Sequence, residues 1–394
     1  MEAHARGRLH AAVAAFGVMG LLLVSGCQSP GTTAQAAKVV EKALPLPVIS
    51  VEPGTSTERV RPDFPVNVTV AEGKLSSVVL ADGKQREVEG SISADGTSWT
   101  ATGGLRLNAS YSLRATAVNT EGVSATASSD FRTVKPKARL TTSISPLTGS
   151  TVGVGMPIVV RLSEPAAERA EVERNLTVTS SKPVEGSWSW VSDEELHYRP
   201  RDYWPANTKV TLNVRLQDVD AGKGVWGDEE RTIRFRTGAS MVSVVDVRKL
   251  RLTVYRNGRV ARTIPVSTGK AGFLTRNGIK VISEKHVLKI MDASTIGISK
   301  SDPEYYRLEV PYALRVTNSG EFVHAAPWSV ASQGRTRVSH GCVGMSTANA
   351  IWLYNQANVG DIVQVVGSPR HLEPGNGWTD WNVSWSDWLE GSAL

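Results

Sequence analysis

Val66-Asn67-Val68-Thr69-Val70 alternates apolar and polar positions, and runs of the same period recur along most of the chain. Alternation places every second side chain on one face, the pattern of a half-buried β-strand. Across residues 48–136 such runs are separated by the turn pairs Asp82-Gly83, Asp95-Gly96 and Glu121-Gly122, with later strands from Tyr111 to Asn119 and Ala125 to Val134. Short strands between turn signals predict an immunoglobulin-like β-sandwich. Residues 137–239 repeat the pattern, with strand candidates at Ile158 to Leu162, Leu176 to Thr179, Ser187 to Trp190, Leu196 to Arg199, Lys209 to Leu216 and Arg231 to Arg236. The two units end alike, in Phe131-Arg132-Thr133 and Phe235-Arg236-Thr237, about one domain length apart, which suggests an internal repeat. Neither has a Cys…Trp…Cys pattern, so immunoglobulin-like describes architecture only.

A third unit, residues 240–368, opens with Met241 to Val247 and Leu250 to Tyr255, then Asn257-Gly258, then Val260 to Ser267. Asn-Gly between alternating runs predicts a hairpin. Ile279 to Ser283 and Val287 to Met291 read as further strands. Residues 292–311 lack a regular period, and a loop of that length inside a compact unit is usually functional. A helix is predicted from Ser346 or Thr347 through Ala357, followed by Gly360 and a last strand, Ile362 to Val366. The tail, 369–394, holds Trp378, Trp381, Trp385 and Trp388. Left exposed, these would form one apolar patch, so the tail is predicted to fold back onto the third unit. Trp188, Trp190, Tyr203 and Trp204 read as core or interface aromatics. The fold class is mainly β: two immunoglobulin-like β-sandwiches, then a β-rich third unit with a short helix and a Trp-rich C-terminal tail.

With 394 residues, 41% hydrophobic and 21% charged, the chain reads as a multi-domain globular protein rather than a disordered one. The net charge of +6 is scattered and accompanies no nucleic-acid motif, so no nucleic-acid partner is expected. The N-terminus changes the picture more. Arg6 and Arg8 precede an apolar stretch, Ala11 to Val24, too short for a membrane span of about 20 residues. It ends in Val24-Ser25-Gly26-Cys27, which resembles the bacterial lipobox. That resemblance implies a lipoprotein signal peptide at 1–26, lipidation of Cys27, a flexible tether at 27–47, and a protein held by lipid to the outer face of the cell membrane. Only Cys27 and Cys342 are present. An exported chain with one unpaired cysteine points to a thiol with a use.

The residues around that thiol are Ser339-His340-Gly341-Cys342, with Phe322-Val323-His324-Ala325-Ala326-Pro327-Trp328 upstream. A thiol is a strong nucleophile only as thiolate, and a neighbouring imidazole promotes that form. His340, two residues away, and His324, eighteen upstream, are both candidates. Gly341 frees the turn for close approach of a substrate backbone, and the N–H groups of residues 340–342 are candidates for an oxyanion hole. His324, His340 and Cys342 could instead hold zinc, but no fourth ligand and no HExxH motif accompany them, so no metal and no cofactor are expected. Asp218-x-Asp220…Gly222 lacks the bidentate Glu of a calcium loop.

The His followed by Ser-His-Gly-Cys resembles the active-site signature of the L,D-transpeptidases, the YkuD-type catalytic domain. The Asn318-to-Ser329 block and the Trp381, Trp385, Trp388 tail extend the likeness to the actinobacterial lipoprotein type with two immunoglobulin-like domains. The resemblance implies an acyltransferase that forms 3-3 cross-links between peptidoglycan stem peptides, with Cys342 as nucleophile and release of D-alanine. His324 would be the general base, oriented by the Ala325 carbonyl. His340, Gly341 and Cys342 would supply oxyanion donors within the turn that begins at Ser339. Residues 288–311 match the family's lid, Met291 and Tyr306 its substrate contacts, Ser319 and Gly320 its inner rim, and Trp328 its pocket wall. Carbapenem β-lactams would acylate the site, and a monomer is expected. Two departures stand out: Gly344 replaces the usual Asn, and Ile296 stands where relatives often carry an aromatic. L,D-carboxypeptidase-like hydrolysis, a non-catalytic wall-binding lipoprotein and a cysteine peptidase remain as alternatives.

Overall fold

The computed structural model describes residues 45–394; Cys27, the signal segment and most of the tether lie outside the described residues. Residues 48–133 form two four-stranded sheets. One orders Val48–Glu52, Asn67–Ala71, Ser98–Ala101 and Gly90–Ile92; the other orders Thr57–Val60, Ser124–Thr133, Ser110–Val118 and Lys74–Asp82. Alternation in Ser110–Val118 turns Tyr111, Leu113, Ala115 and Ala117 inward, and Tyr111 stacks on Phe131 at 5.4 Å. Each large side chain so buried contributes about 1.5–3 kcal/mol.

A second pair of four-stranded sheets follows. One orders Thr142–Ser145, Ile158–Leu162, Glu195–Pro200 and Gly186–Trp190; the other orders Thr151–Val152, Glu230–Thr237, Lys209–Arg215 and Leu176–Ser180. Trp188 and Trp204 lie in its core, their indole N–H groups donating to the Leu176 and Met156 carbonyls. The repeated Phe-Arg-Thr ending has a physical reason. Each occupies the end of a strand flanked by a short parallel strand on one side and a long antiparallel one on the other. The Thr133 hydroxyl accepts from Ala109 N and donates to the Arg106 carbonyl; the Thr237 hydroxyl accepts from Thr208 N and donates to the Pro205 carbonyl. Both threonines thus tie the start of the neighbouring strand.

The third unit has a five-stranded sheet, ordered Arg259–Pro265, Arg251–Arg256, Met241–Asp246, Ile362–Val366 and Gly278–Val281, and a four-stranded sheet, ordered Glu284–Asp292, Arg307–Arg315, Phe322–Ala325 and Val343–Met345. Asn257 and Gly258 both take positive φ (50° and 77°), the hairpin turn their sequence signals. Helix Thr347–Gln356 is capped by the Ser346 hydroxyl. Its Ala350 and Leu353 join Val245, Leu252, Ile264, Val323, Val343 and Met345 in one core. Residues 292–311 are more ordered than their sequence suggests. Glu284–Asp292 and Arg307–Arg315 form one hairpin, and only residues 293–306 remain as its connection.

The second sandwich meets the third unit through backbone. Gly153 N donates to the Val359 carbonyl and Gly155 N to the Gly360 carbonyl, at 2.8 and 2.9 Å. A Cβ on Gly153 would lie 2.1 Å from Asp361 N, so the approach requires glycine there. Asp361 is buried in this contact, and burial pushes its carboxyl up to about 7, against the pull of the Asn358 N–H and Lys285. A carboxyl raised in the folded state stabilises it only while protonated, so stability falls as pH rises from about 4 to 7. Asp361→Asn is therefore expected to raise the melting temperature by a few degrees at pH 8 and to leave it nearly unchanged at pH 4, as read by calorimetry.

The tail departs from expectation. Its first part does lie on the third unit: Asn376 bonds Ser319, and Asn382 bonds both backbone groups of Ile279. The tryptophans, however, pack on the second sandwich. Trp381 donates to the Gly155 carbonyl, Trp388 to the Ser187 carbonyl, and the Arg199 guanidinium lies over the rings of Trp381, Trp385 and Trp388 at 4.6–5.3 Å. The reason is chemical: a buried cation on a sheet face needs π-faces and carbonyls around it, and the tail supplies both. His197 completes the strap, its ring nitrogens 2.8 Å from Asp380 and from Glu195. Burial pulls the imidazole down, but the two carboxylates outweigh it and raise it to about 9. A raised imidazole contributes stability below about 6.5 that is lost as pH rises through about 9. Tryptophan fluorescence should accordingly report release of the tail near pH 9, and in Asp380→Asn at lower pH. Among the described residues no helix is long and apolar enough to cross a membrane.

Candidate active site

Strands Phe322–Ala325 and Val343–Met345 pair in parallel, with Val323 opposite Val343, His324 opposite Gly344 and Ala325 opposite Met345. Period-two alternation then sends His324, Cys342 and Gly344 to one face of the sheet. That face opens on a cleft of about 420 Å³, whose walls include Met291, Tyr306, Trp328, Ser339 and His340 beside His324 and Cys342. The two histidines left open by the sequence are separated here. His324 shares the cleft floor with the thiol. His340 turns its ring to Phe273 and Tyr306, and its Nε2 to Glu304 at 2.7 Å.

The His324 Nδ1 lies 2.7 Å from the Ala325 carbonyl. A carbonyl only accepts, so Nδ1 carries the proton and Nε2 keeps its lone pair. Trp328 stacks on the imidazole, ring centroids 6.0 Å apart. Burial lowers His324 to about 4 and pushes the Cys342 thiol up to about 12, partly opposed by a hydrogen bond from the Phe322 backbone. Both groups therefore rest uncharged at neutral pH. The thiol points toward the Gly320 carbonyl, 3.7 Å away. Met291, Val310, Ala313, Phe322 and Tyr306 surround it with apolar surface.

The turn carrying the thiol is self-bonded. Ser339 Oγ donates to the Cys342 carbonyl at 2.6 Å and accepts from Gly341 N at 3.2 Å. The Gly341 N–H, a candidate oxyanion donor, is thus engaged by Ser339 in this state. Gly341 has φ of 122°, which favours glycine. Gly341→Ala is expected to lower acylation rates by about tenfold or more by straining the turn, measured as the rate of β-lactam adduct formation. Ser319, expected at the inner rim, has its backbone N–H and its hydroxyl on Asn376 of the tail, outside the cleft lining.

The connection 293–306 reaches the cleft through Tyr306 at its end. Asp292 caps its short 3-10 helix, Ala293–Ile296, and Glu304 pins its end to Lys270 at 2.5 Å and to His340. Ile296 reaches Gly320: a Cβ there would lie 3.1 Å from Ile296 Cγ2. Among the described residues no group of three His, Cys, Asp or Glu side chains is arranged to hold a metal. Asp218 and Asp220 instead face Arg139 and Arg61.

The L,D-transpeptidase catalytic domain family matches residues 240–365, and the bacterial Ig domain family matches residues 57–220. L,D-transpeptidase 2 of Mycobacterium tuberculosis is 38% identical over 84% of this chain and 81% of its own length. L,D-transpeptidase 5 of the same species is 34% identical over 98% of this chain and 85% of its own. The chain belongs to the L,D-transpeptidases. The solved structure of the LD transpeptidase LdtMt1 in complex with imipenem is 37% identical to this L,D-transpeptidase, covering 59% of it and all of that chain, with a TM-score of 0.52.

Within this L,D-transpeptidase, Gly344 is tightly held. Its N–H and carbonyl both bond Ser267 at 2.9 Å, and a Cβ there would lie 2.9 Å from Ala326 Cβ. The side chains that the sequence left unread are Glu304, Glu321 and Lys280. The available signal was a charge set inside an apolar alternating run, as in Ile279-Lys280-Val281 and Glu321-Phe322-Val323.

Proposed function

We propose that this L,D-transpeptidase cross-links peptidoglycan stem peptides by two acyl transfers at Cys342. In the first, His324 Nε2 takes the thiol proton as sulfur attacks the carbonyl of the third-position diamino acid. The C–N bond to the terminal D-alanine breaks, and the proton passes to the leaving amine. In the second, the side-chain amine of another stem peptide attacks the thioester, gives its proton to Nε2, and expels the thiolate, which recovers it. A 3-3 cross-link results. Carbapenems enter the first step only: sulfur opens the β-lactam carbonyl, and the proton goes to the ring nitrogen.

One observation carries this reading. The Ala325 carbonyl fixes the His324 tautomer so that its free lone pair belongs to the cleft that holds the one thiol among the described residues. Orientation by a backbone carbonyl fills the place of the carboxylate in a serine-protease triad. Met291, Tyr306 and Trp328 supply apolar walls for the donor stem. Gly320, touching the thiol, forms the inner rim, and the turn from Ser339 through His340 and Gly341 to Cys342 supplies oxyanion donors once a carbonyl enters. The protein works as a monomer, outside the membrane, anchored by lipid on Cys27.

Incubation with purified stem tetrapeptides is the test. Cross-linked dimer and free D-alanine in equal amounts are expected; D-alanine with tripeptide and no dimer would refute cross-linking. Labelling with a palmitate analogue, lost in Cys27→Ala, checks the anchor.

A further inference from the structure

Behind the Cys342 turn lies a buried charge cluster that the acyl-transfer steps leave unused. Lys280, within strand Gly278–Val281, is 1% exposed, and Glu321 is 3% exposed. Lys280 Nζ donates to Glu321 Oε2. Glu321 Oε1 accepts from both the backbone N and Nη1 of Arg276, each at 3.1 Å. The Glu321 backbone is fixed too: its N–H donates to the Thr317 hydroxyl at 2.8 Å and its carbonyl accepts from Val316 at 3.0 Å. A buried ion pair is rarely retained for stability alone, because an apolar pair of similar volume commonly serves as well.

This cluster touches the nucleophile's surroundings from two directions. A Cβ built on Gly341 would lie 3.4 Å from Glu321 Oε1, so the carboxylate backs the turn immediately before the thiol. Gly320, the residue preceding Glu321, presents the carbonyl on which the thiol rests. We propose that Glu321, held between Lys280 and Arg276, is a positioning residue that sets the orientation and proton affinity of the Cys342 thiol. The proposal rests on Cys342 as the nucleophile.

The sign of each charge follows from electrostatics. The Glu321 carboxylate disfavours a second negative charge on sulfur, while Lys280 and Arg315 favour it. The other groups around the thiol are Tyr306 from the lid and His324 from the adjacent strand, with the His340–Glu304–Lys270 chain beyond the turn. Arg276 keeps its charge in any variant of its neighbours.

Iodoacetamide alkylation of Cys342, located by peptide mass across pH 6–10, tests the idea, because this reagent reads thiolate rather than turnover. Glu321→Gln keeps the shape and removes the negative charge, so its log-rate line is expected to move to lower pH, about tenfold faster at fixed pH. Lys280→Met removes one of the two cations that balance the carboxylate and is expected to move the line the other way by a similar factor. Opposite shifts support the proposal. Lines that stay on wild type, or two variants slowed together without a shift along pH, overturn it. Should Lys280→Met fail to melt cooperatively, Glu321→Gln alone decides: a shift to lower pH supports, no shift or the reverse overturns. Absence of a carbapenem adduct in wild type would instead remove the nucleophile assignment itself.

Discussion

Replacing Cys342 with Ala is expected to abolish the carbapenem adduct in intact-mass spectra and to reduce cross-linking by about a millionfold, to background. The size follows from the route. Without sulfur there is no thioester, and the uncatalysed attack of an amine on a peptide carbonyl must proceed in one step. The hydroxyls of the thiol's own turn and of the facing wall do not replace it. Ser339 has its hydroxyl on the Cys342 carbonyl, and Tyr306 is pushed up to about 12, chiefly by burial. The side chain is only 8% exposed and partly surrounded by apolar groups, so Ala leaves a small void rather than an unpaired charge. The folded state should persist, and a normal melting curve beside a missing adduct separates lost chemistry from lost structure. An adduct of undiminished yield in Cys342→Ala would end the cysteine mechanism.

His324→Ala is expected to lower acylation by about 100- to 10,000-fold while leaving β-lactam binding within a few-fold. The argument is one of protonation. Burial holds this imidazole near 4, so it is neutral at working pH, and its Nδ1 bond to Ala325 leaves Nε2 as acceptor. Sulfur, pushed up to about 12, does not ionise by itself. Attack therefore needs a base that receives the proton as the C–S bond forms. Acylation in wild type should be nearly flat from pH 5 to 9 and fall below about 4, where the imidazole gains its proton. In His324→Ala the flat region should vanish and the rate should rise about tenfold per pH unit, following thiolate alone. A flat profile in the variant would falsify the general-base role.

The cluster behind Gly341 bears on the same barrier from another side. Removing the Glu321 charge strands Lys280 in the interior, and loss of a buried partner of this kind typically costs about 3–5 kcal/mol of stability. That places thermal stability and thiol reactivity on one set of residues, close to a turn whose Gly341 takes a φ that favours glycine.

Much of the molecule was legible beforehand because its signals are local. Alternation in Tyr111 to Asn119 and the Asn257-Gly258 turn depend on the periodicity and conformational preferences of a few consecutive residues, and no distant contact overrides them. The Ser346 cap is of the same kind. Residues 292–311 misled because their last five residues are strand only by virtue of pairing with Glu284–Asp292, a non-local gain that their own composition does not advertise. The tail misled for a related reason. Four tryptophans demand cover, but which surface covers them depends on Arg199 and His197, almost two hundred residues away.

The sequence by itself determined the architecture class, a candidate thiol, and two imidazoles that were candidates to serve it, since these rest on residue type and spacing. Only the tertiary structure sets those imidazoles apart. The parallel register of two short strands sets His324 on the thiol's face, while Phe273, Tyr306 and Glu304 draw His340 aside. It also placed Lys280 and Glu321 against each other beneath Gly341. Chain order carries no distance information across forty residues, and the field at a buried sulfur is set by distance.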